Sequence, residues 1–167
     1  SFAAAYKYAN SYEFEVKSQI EIAKTFDNKT DSYEKAIEYI SKIAKKGTYA
    51  SRKNELYYAS GLIASSATKD SLADSYFRKA LKEKQSDPQI RGLTYSEIAK
   101  KYFAKDDYLT AGVFYDSALA VMSYKPEKDR LTELTANIKK LSKNYYIVKK
   151  NDSILNLAKM SPDEKRD

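Results

Sequence analysis

The chain has 167 residues, 43% of them hydrophobic, and a formal net charge of +7, so it can bury the core of one ordinary domain. It contains no Cys and no His, which excludes zinc on thiolate or imidazole ligands, thiol chemistry, and Ser-His-Asp or Cys-His catalysis. No apolar run approaches the ~18 residues of a membrane-spanning helix, and four Gly with three Pro suit long helices joined by short turns.

Sixteen Tyr, against six Phe and no Trp, carry most of the aromatic packing. The basic excess is local: Lys139, Lys140, Lys143, Lys149 and Lys150 have no acidic neighbour in sequence. Such a cluster fits a solvated helix face whose cations oppose the C-terminal end of the helix dipole. An anionic partner is the alternative, and nucleic acid is its weakest form, because Lys outnumbers Arg 25 to 5 and no binding module is present.

The first helix is expected over 2–26, where Tyr12, Val16, Ile20, Ala23 and Phe26 recur at helical spacing. Whether 2–9 continue it or end an earlier helix at Asn10-Ser11 stays open. The run Asp27–Ser32 resembles a calcium loop only superficially, with Lys29 and Ser32 where a ligand and a Gly are needed, so it is expected to be a turn and helix cap. A second helix follows from Ser32 to Lys46 on Ala36, Ile40, Ile43 and Ala44, and Gly47 is expected as its C-cap.

Two further helix pairs share one pattern. Tyr57, Gly61 and Ala64 face Ala73, Phe77 and Ala80; Tyr95, Ile98, Ala99 and Tyr102 face Ala111, Tyr115 and Ala118 across Lys105-Asp106-Asp107. Gly61 to Ala99, Ala73 to Ala111 and Ala80 to Ala118 are each 38 residues, while Ala36 to Ala73 is 37. Small residues let paired backbones approach, and the aromatic rings fill the space around them. Three such pairs are expected at about 12–46, 54–84 and 92–122, the minimum of about three for a continuous stacked core.

From Glu127 to Lys149 one long helix is expected, with Leu131, Leu134, Ile138, Leu141, Tyr145 and Val148 alternating +3 and +4 as a narrow seam. It would cap the open end of the last pair. The seam rises ~27 Å, longer than a repeat helix, so Tyr145, Tyr146 and Val148 are expected to overhang. A separate short helical segment is expected over 152–167, capped by Asp152 and carrying Ile154, Leu155, Ala158 and Met160. The chain starts without Met and stops at a helix start, Ser161-Pro162-Asp163-Glu164, so a fragment of a longer protein is expected.

This pattern resembles the tetratricopeptide repeat, with Tyr95 in its Trp slot and its Pro displaced to Pro126. The expected fold is all-α: tetratricopeptide-like helical hairpins (an α-solenoid) with a C-terminal capping helix. The period exceeds the usual ~34 residues, which implies longer loops between repeats, near Gln85–Pro88. Enzymes need convergent groups in a pocket; here carboxylates alternate with Lys on outward faces or sit in turns, so no catalytic, cofactor or metal site is expected.

A repeat stack does offer a groove lined by the first helix of each pair. Register places Lys17, Lys24, Tyr58, Ser65, Lys100 and Phe103 along it. Mixed Lys and aromatic side chains suit a protein or peptide with acidic and apolar groups. The partner-binding candidates are Lys24, Tyr58, Lys100 and Phe103 of the groove, with Tyr145 and Tyr146 of the overhang.

Five strings sharpen the resemblance: YEFE at 12–15, NELYYASG at 54–61, LTYSEIA at 93–99, VFYDSAL at 113–119 and NDSILNLAKM at 151–160. Together they are similar to the repeat region of the PorW/SprE lipoproteins of the type IX secretion and gliding machinery of Bacteroidetes. The resemblance implies a non-catalytic adaptor at the periplasmic face of the outer membrane. It would be anchored by a segment outside this chain, with ring or translocon proteins as partners and no cofactor, nucleic acid or small-molecule substrate. A glycan-uptake lipoprotein with similar repeats, or a regulatory repeat domain of a larger protein, are the alternatives.

Overall fold

The computed structural model describes residues 12–159, and the expectations for 2–9 and 161–164 lie outside that range. Among the described residues every regular element is helical and none is a strand, so the fold is all-α. In order the helices are α1 (Tyr12–Lys24), α2 (Tyr33–Ala44), a 3-10 segment (Gly47–Arg52), α3 (Lys53–Ser66), α4 (Asp70–Lys82), α5 (Pro88–Phe103), α6 (Tyr108–Val121) and α7 (Lys125–Lys159).

Side-chain oxygens cap three of these helices, as Ser, Asp and Asn side chains favour. Ser32 accepts from the Lys35 amide, Asp87 from Ile90 ahead of Pro88, and Asp107 from Thr110. The run 27–32 is a turn, closed by the Asp27 and Asp31 carboxylates on backbone amides.

α3/α4 and α5/α6 are tight hairpins with one construction. Ala73, Phe77 and Ala80 in the first, and Ala111, Tyr115 and Ala118 in the second, are all buried. Gly61 marks the closest approach: a Cβ there would stand 2.3 Å from the Phe77 ring. Both turns repeat as well. The Lys69 amide donates to Ala64 O and the Asp107 amide to Tyr102 O, closing each helix with the same six-to-one bond. The left-handed residue inside each closure is Thr68 (φ 56°) in one and Asp106 (φ 59°) in the other. Non-Gly residues seldom adopt that conformation, which disfavours Cβ; here the offset between them is again 38 residues.

The expected first pair is built differently. α1 and α2 each pack on α3 rather than chiefly on one another. Tyr39 donates to Glu15 at 2.6 Å and Tyr49 donates to the same carboxylate, so α2 and the 3-10 segment both reach α1 through one side chain. Tyr49 is buried within the 3-10 segment and meets the edge of Tyr12. Gly47 is therefore not a C-cap. It starts the 3-10 segment, Lys45 closes α2 in the right-handed conformation, and no glycine has positive φ.

Two differences concern α7. No break occurs at Asp152, which lies inside one helix running to Lys159; with no Gly or Pro between 127 and 159, an Asp alone does not stop a helix. The buried line also departs from the expected seam. Leu131, Thr135, Ile138 and Ser142 are buried, whereas Leu134 and Leu141 are each 42% exposed. Thr135 and Ser142 are small enough for close approach to α6, and the Thr135 hydroxyl is satisfied by Leu131 O at 2.7 Å.

Candidate functional site

Three expected groove residues converge. Lys24 at the end of α1, Tyr58 in α3 and Lys100 in α5 line a single cleft of about 170 Å³. Its far side is α6 and the start of α7, through Tyr115, Arg130 and Leu134. Register explains the convergence, because α1, α3 and α5 present the same face in succession. Lys17 and Ser65, expected on that face, are not among its lining residues.

The two hairpins differ at one position beside this recess. Tyr58 corresponds, 38 residues on, to Ser96. Where α3 places a ring, α5 places a hydroxymethyl group, and space opens beside it. Ser96 is 6% exposed, and its Oγ has no hydrogen-bond partner among the described residues.

Tyr58 lines the cleft as expected of a groove residue, but it is only 3% exposed. Its ring packs tilted against Phe77, so only one edge reaches the cleft. Burial pushes its hydroxyl well above the usual tyrosine value, and the charges of Glu97, Glu127 and Glu21 push it further. Burial and Glu97 raise Tyr115 in the same direction. Both phenols are thus neutral donors at ordinary pH. On the rim Lys24 pairs with Glu21 at 2.8 Å and Lys100 with Glu97 at 2.6 Å, exposed pairs of small net worth. The cleft therefore offers hydroxyl donors at its floor and exchangeable ion pairs at its mouth. That suits a peptide backbone carrying a carboxylate.

Phe103, expected along the same groove, is not among the residues that line this cleft. It meets Tyr108 edge-on at 5.2 Å, Tyr108 meets Tyr145 at 5.0 Å, and Tyr145 meets Tyr146 at 5.5 Å. The rings form a ladder binding the α5–α6 turn to the middle of α7. Tyr145 is half-buried in it and is not an overhang, while Tyr146, 38% exposed, is at its open end. Lys149 stands 5.0 Å over the Tyr145 ring, and its hydrogen bond to Tyr145 raises its affinity for its proton. Tyr108 carries the ladder and was not singled out from sequence. Its position directly after the capping Asp107 was the available signal.

A roomier hollow of about 620 Å³ lies at the outer edge of α4 and α5. Within it Arg78 holds Asp74 at 2.7 Å and Lys101 donates to the Asp70 backbone O at 2.9 Å. Among the described residues no group of three Asp, Glu, His or Cys side chains is placed to hold a metal ion, and no helix is long and apolar enough to cross a membrane. No family model and no curated protein sequence matches the chain.

Proposed function

We propose that the chain is a non-catalytic protein–protein interaction scaffold. It is made of tetratricopeptide-like hairpins stacked as an α-solenoid and capped by α7. The carrying observation is the convergence of Lys24, Tyr58 and Lys100, from α1, α3 and α5, on one recess that Ser96 also lines. Repetition of buried positions and turn geometry at 38 residues supports the stacked-hairpin reading. The space suits one side chain or chain end of a partner, with Lys24, Lys100 and Arg130 available to its carboxylates.

The strings resembling PorW/SprE lipoproteins support assigning the scaffold to the type IX secretion and gliding machinery. It would act there as an adaptor at the periplasmic face of the outer membrane, held by an anchor outside this chain. The test is affinity capture from envelope extracts with the wild-type chain and with Lys24→Glu plus Lys100→Glu, both exposed positions. Ring or translocon proteins are expected with the wild type and sharply reduced with the double variant. Recovery of none of them counts against the adaptor role, and equal recovery by both chains counts against the cleft.

A further inference from the structure

α7 runs antiparallel to α6, with Lys139 against Asp116 at 2.9 Å and Tyr145 against Tyr108. Since α6 begins at Tyr108, the part of α7 beyond Tyr146 has no described helix alongside it. Those thirteen residues extend ~20 Å at 1.5 Å per residue. They are not polar all round. Val148 and Leu155, 57% and 56% exposed, continue a row at seven-residue spacing from Leu141, 42% exposed, and Ile147 and Ile154 form a second. The first row begins at Leu134, in the wall of the cleft.

Charge restricts what can cover these rows. Between Glu133 and Asp152 the sequence has no acidic residue. Lys139 is engaged with Asp116 and Lys149 lies over Tyr145, but Lys140, Lys143 and Lys150 have no ion pair among the described residues. Lys143 and Lys150 each precede an Ile of the second row by one helical turn, so they border the apolar surface. A second copy of this chain laid along the same rows would set Lys against Lys in either direction. A lipid surface would have to desolvate Asn144 and Asn151, which fall between the two rows, and interfacial helices present a broad, unbroken apolar face. A partner helix can answer the two Asn with polar side chains, as buried Asn positions do in helical pairs.

We propose that the distal half of α7 is a second docking surface, for an acidic amphipathic helix of another protein. Its apolar residues would lie on Leu141, Val148 and Leu155 while its carboxylates reach Lys140, Lys143 and Lys150. The surface is distinct from the cleft, although its first row leads into it.

The test is fluorescence anisotropy with the intact chain and a labelled helix-forming peptide of leucine-bearing heptads whose other positions are mostly Glu, with its Lys-for-Glu counterpart as control. The Glu peptide is expected to bind and the Lys peptide not. Val148→Asp plus Leu155→Asp, and separately Lys140→Glu plus Lys143→Glu plus Lys150→Glu, are each expected to weaken binding by roughly tenfold or more, with circular dichroism unchanged. Lys24→Glu plus Lys100→Glu should leave this binding intact, which separates it from the cleft. Equal binding of both peptides, or of neither, overturns the proposal. So does a dimer in sedimentation that Val148→Asp plus Leu155→Asp dissociates. Adsorption to phosphatidylserine vesicles through the same apolar residues, with no peptide binding, overturns it in favour of a lipid surface.

Discussion

The paired hairpins and α7 are both amphipathic in sequence, but they dispose of their apolar residues differently. In the hairpins the contact positions alternate Ala or Gly with one large ring, and Ala73, Phe77, Ala111 and Ala118 are all 0% exposed. In α7 the seam repeats every three and four residues, yet Leu134, Leu141 and Val148 remain 42%, 42% and 57% exposed. A strict seven-residue pattern drifts by about 20° per heptad on a straight helix and stays in contact only when the helices supercoil. α6 is too short, at 14 residues, to follow it. Size complementarity thus decides burial in the first region, and the absence of a long companion decides exposure in the second.

The sharpest way to break this contrast is to truncate one residue in each region. Phe77→Ala is expected to cost about 3–5 kcal/mol in urea unfolding, because its ring is wholly enclosed. Val148→Ala should fall within about 0.5 kcal/mol of wild type. Comparable losses would mean that α7 is packed more firmly than its exposure indicates.

Glycine positions give a second contrast. Gly61→Ala should destabilise by about 1–3 kcal/mol through overpacking, since the new methyl group meets the Phe77 ring. Gly112→Ala, with nothing within 4 Å of the added carbon, should stabilise by about 0.5–1 kcal/mol. Opposite shifts in melting temperature are the expected readout.

The ladder divides its two α7 tyrosines. Tyr145→Ala removes edge contacts on both sides and should cost about 0.5–1.5 kcal/mol. It should also speed amide exchange in the distal half of α7. Tyr146→Ala should change stability little, and similar behaviour of the two would dissolve the distinction between anchor and rim.

The smallest expected effect is at alkaline pH. The Tyr58 hydroxyl is held above its unfolded value of about 10, so the folded state favours the neutral phenol. Its contribution to stability is fully present below that value and is lost as pH rises toward the folded one. Tyr58→Phe should flatten the fall in stability above about pH 10, measured by denaturation at stepped pH.

Much of this was legible in the residues themselves. The 38-residue spacing of Ala73 with Ala111 and Ala80 with Ala118 located both hairpins, and the runs before Ser32 and Asp107 located caps. Helical register placed Lys24, Tyr58 and Lys100 on one face of α1, α3 and α5. What escaped depends on contacts distant in sequence. Nothing local shows that Tyr39 and Tyr49 would share Glu15, or that α1 and α2 would each pack on α3. Phe103 shares its register with groove positions but lies at the last residue of α5, where the turn turns it toward Tyr108. Thr135 and Ser142 are buried while Leu134 and Leu141 are exposed, a choice that hydrophobicity alone does not make. Ser96 drew no attention because a buried Ser in a helix looks ordinary until it is aligned with Tyr58.

The matched left-handed residues have a consequence for substitution. Thr68 and Asp106 share a backbone angle although their side chains have little in common, so what repeats is the path of the chain. Each turn is closed by its own amide-to-carbonyl bond, Lys69 to Ala64 and Asp107 to Tyr102, and the side chain at the left-handed position is left free to differ.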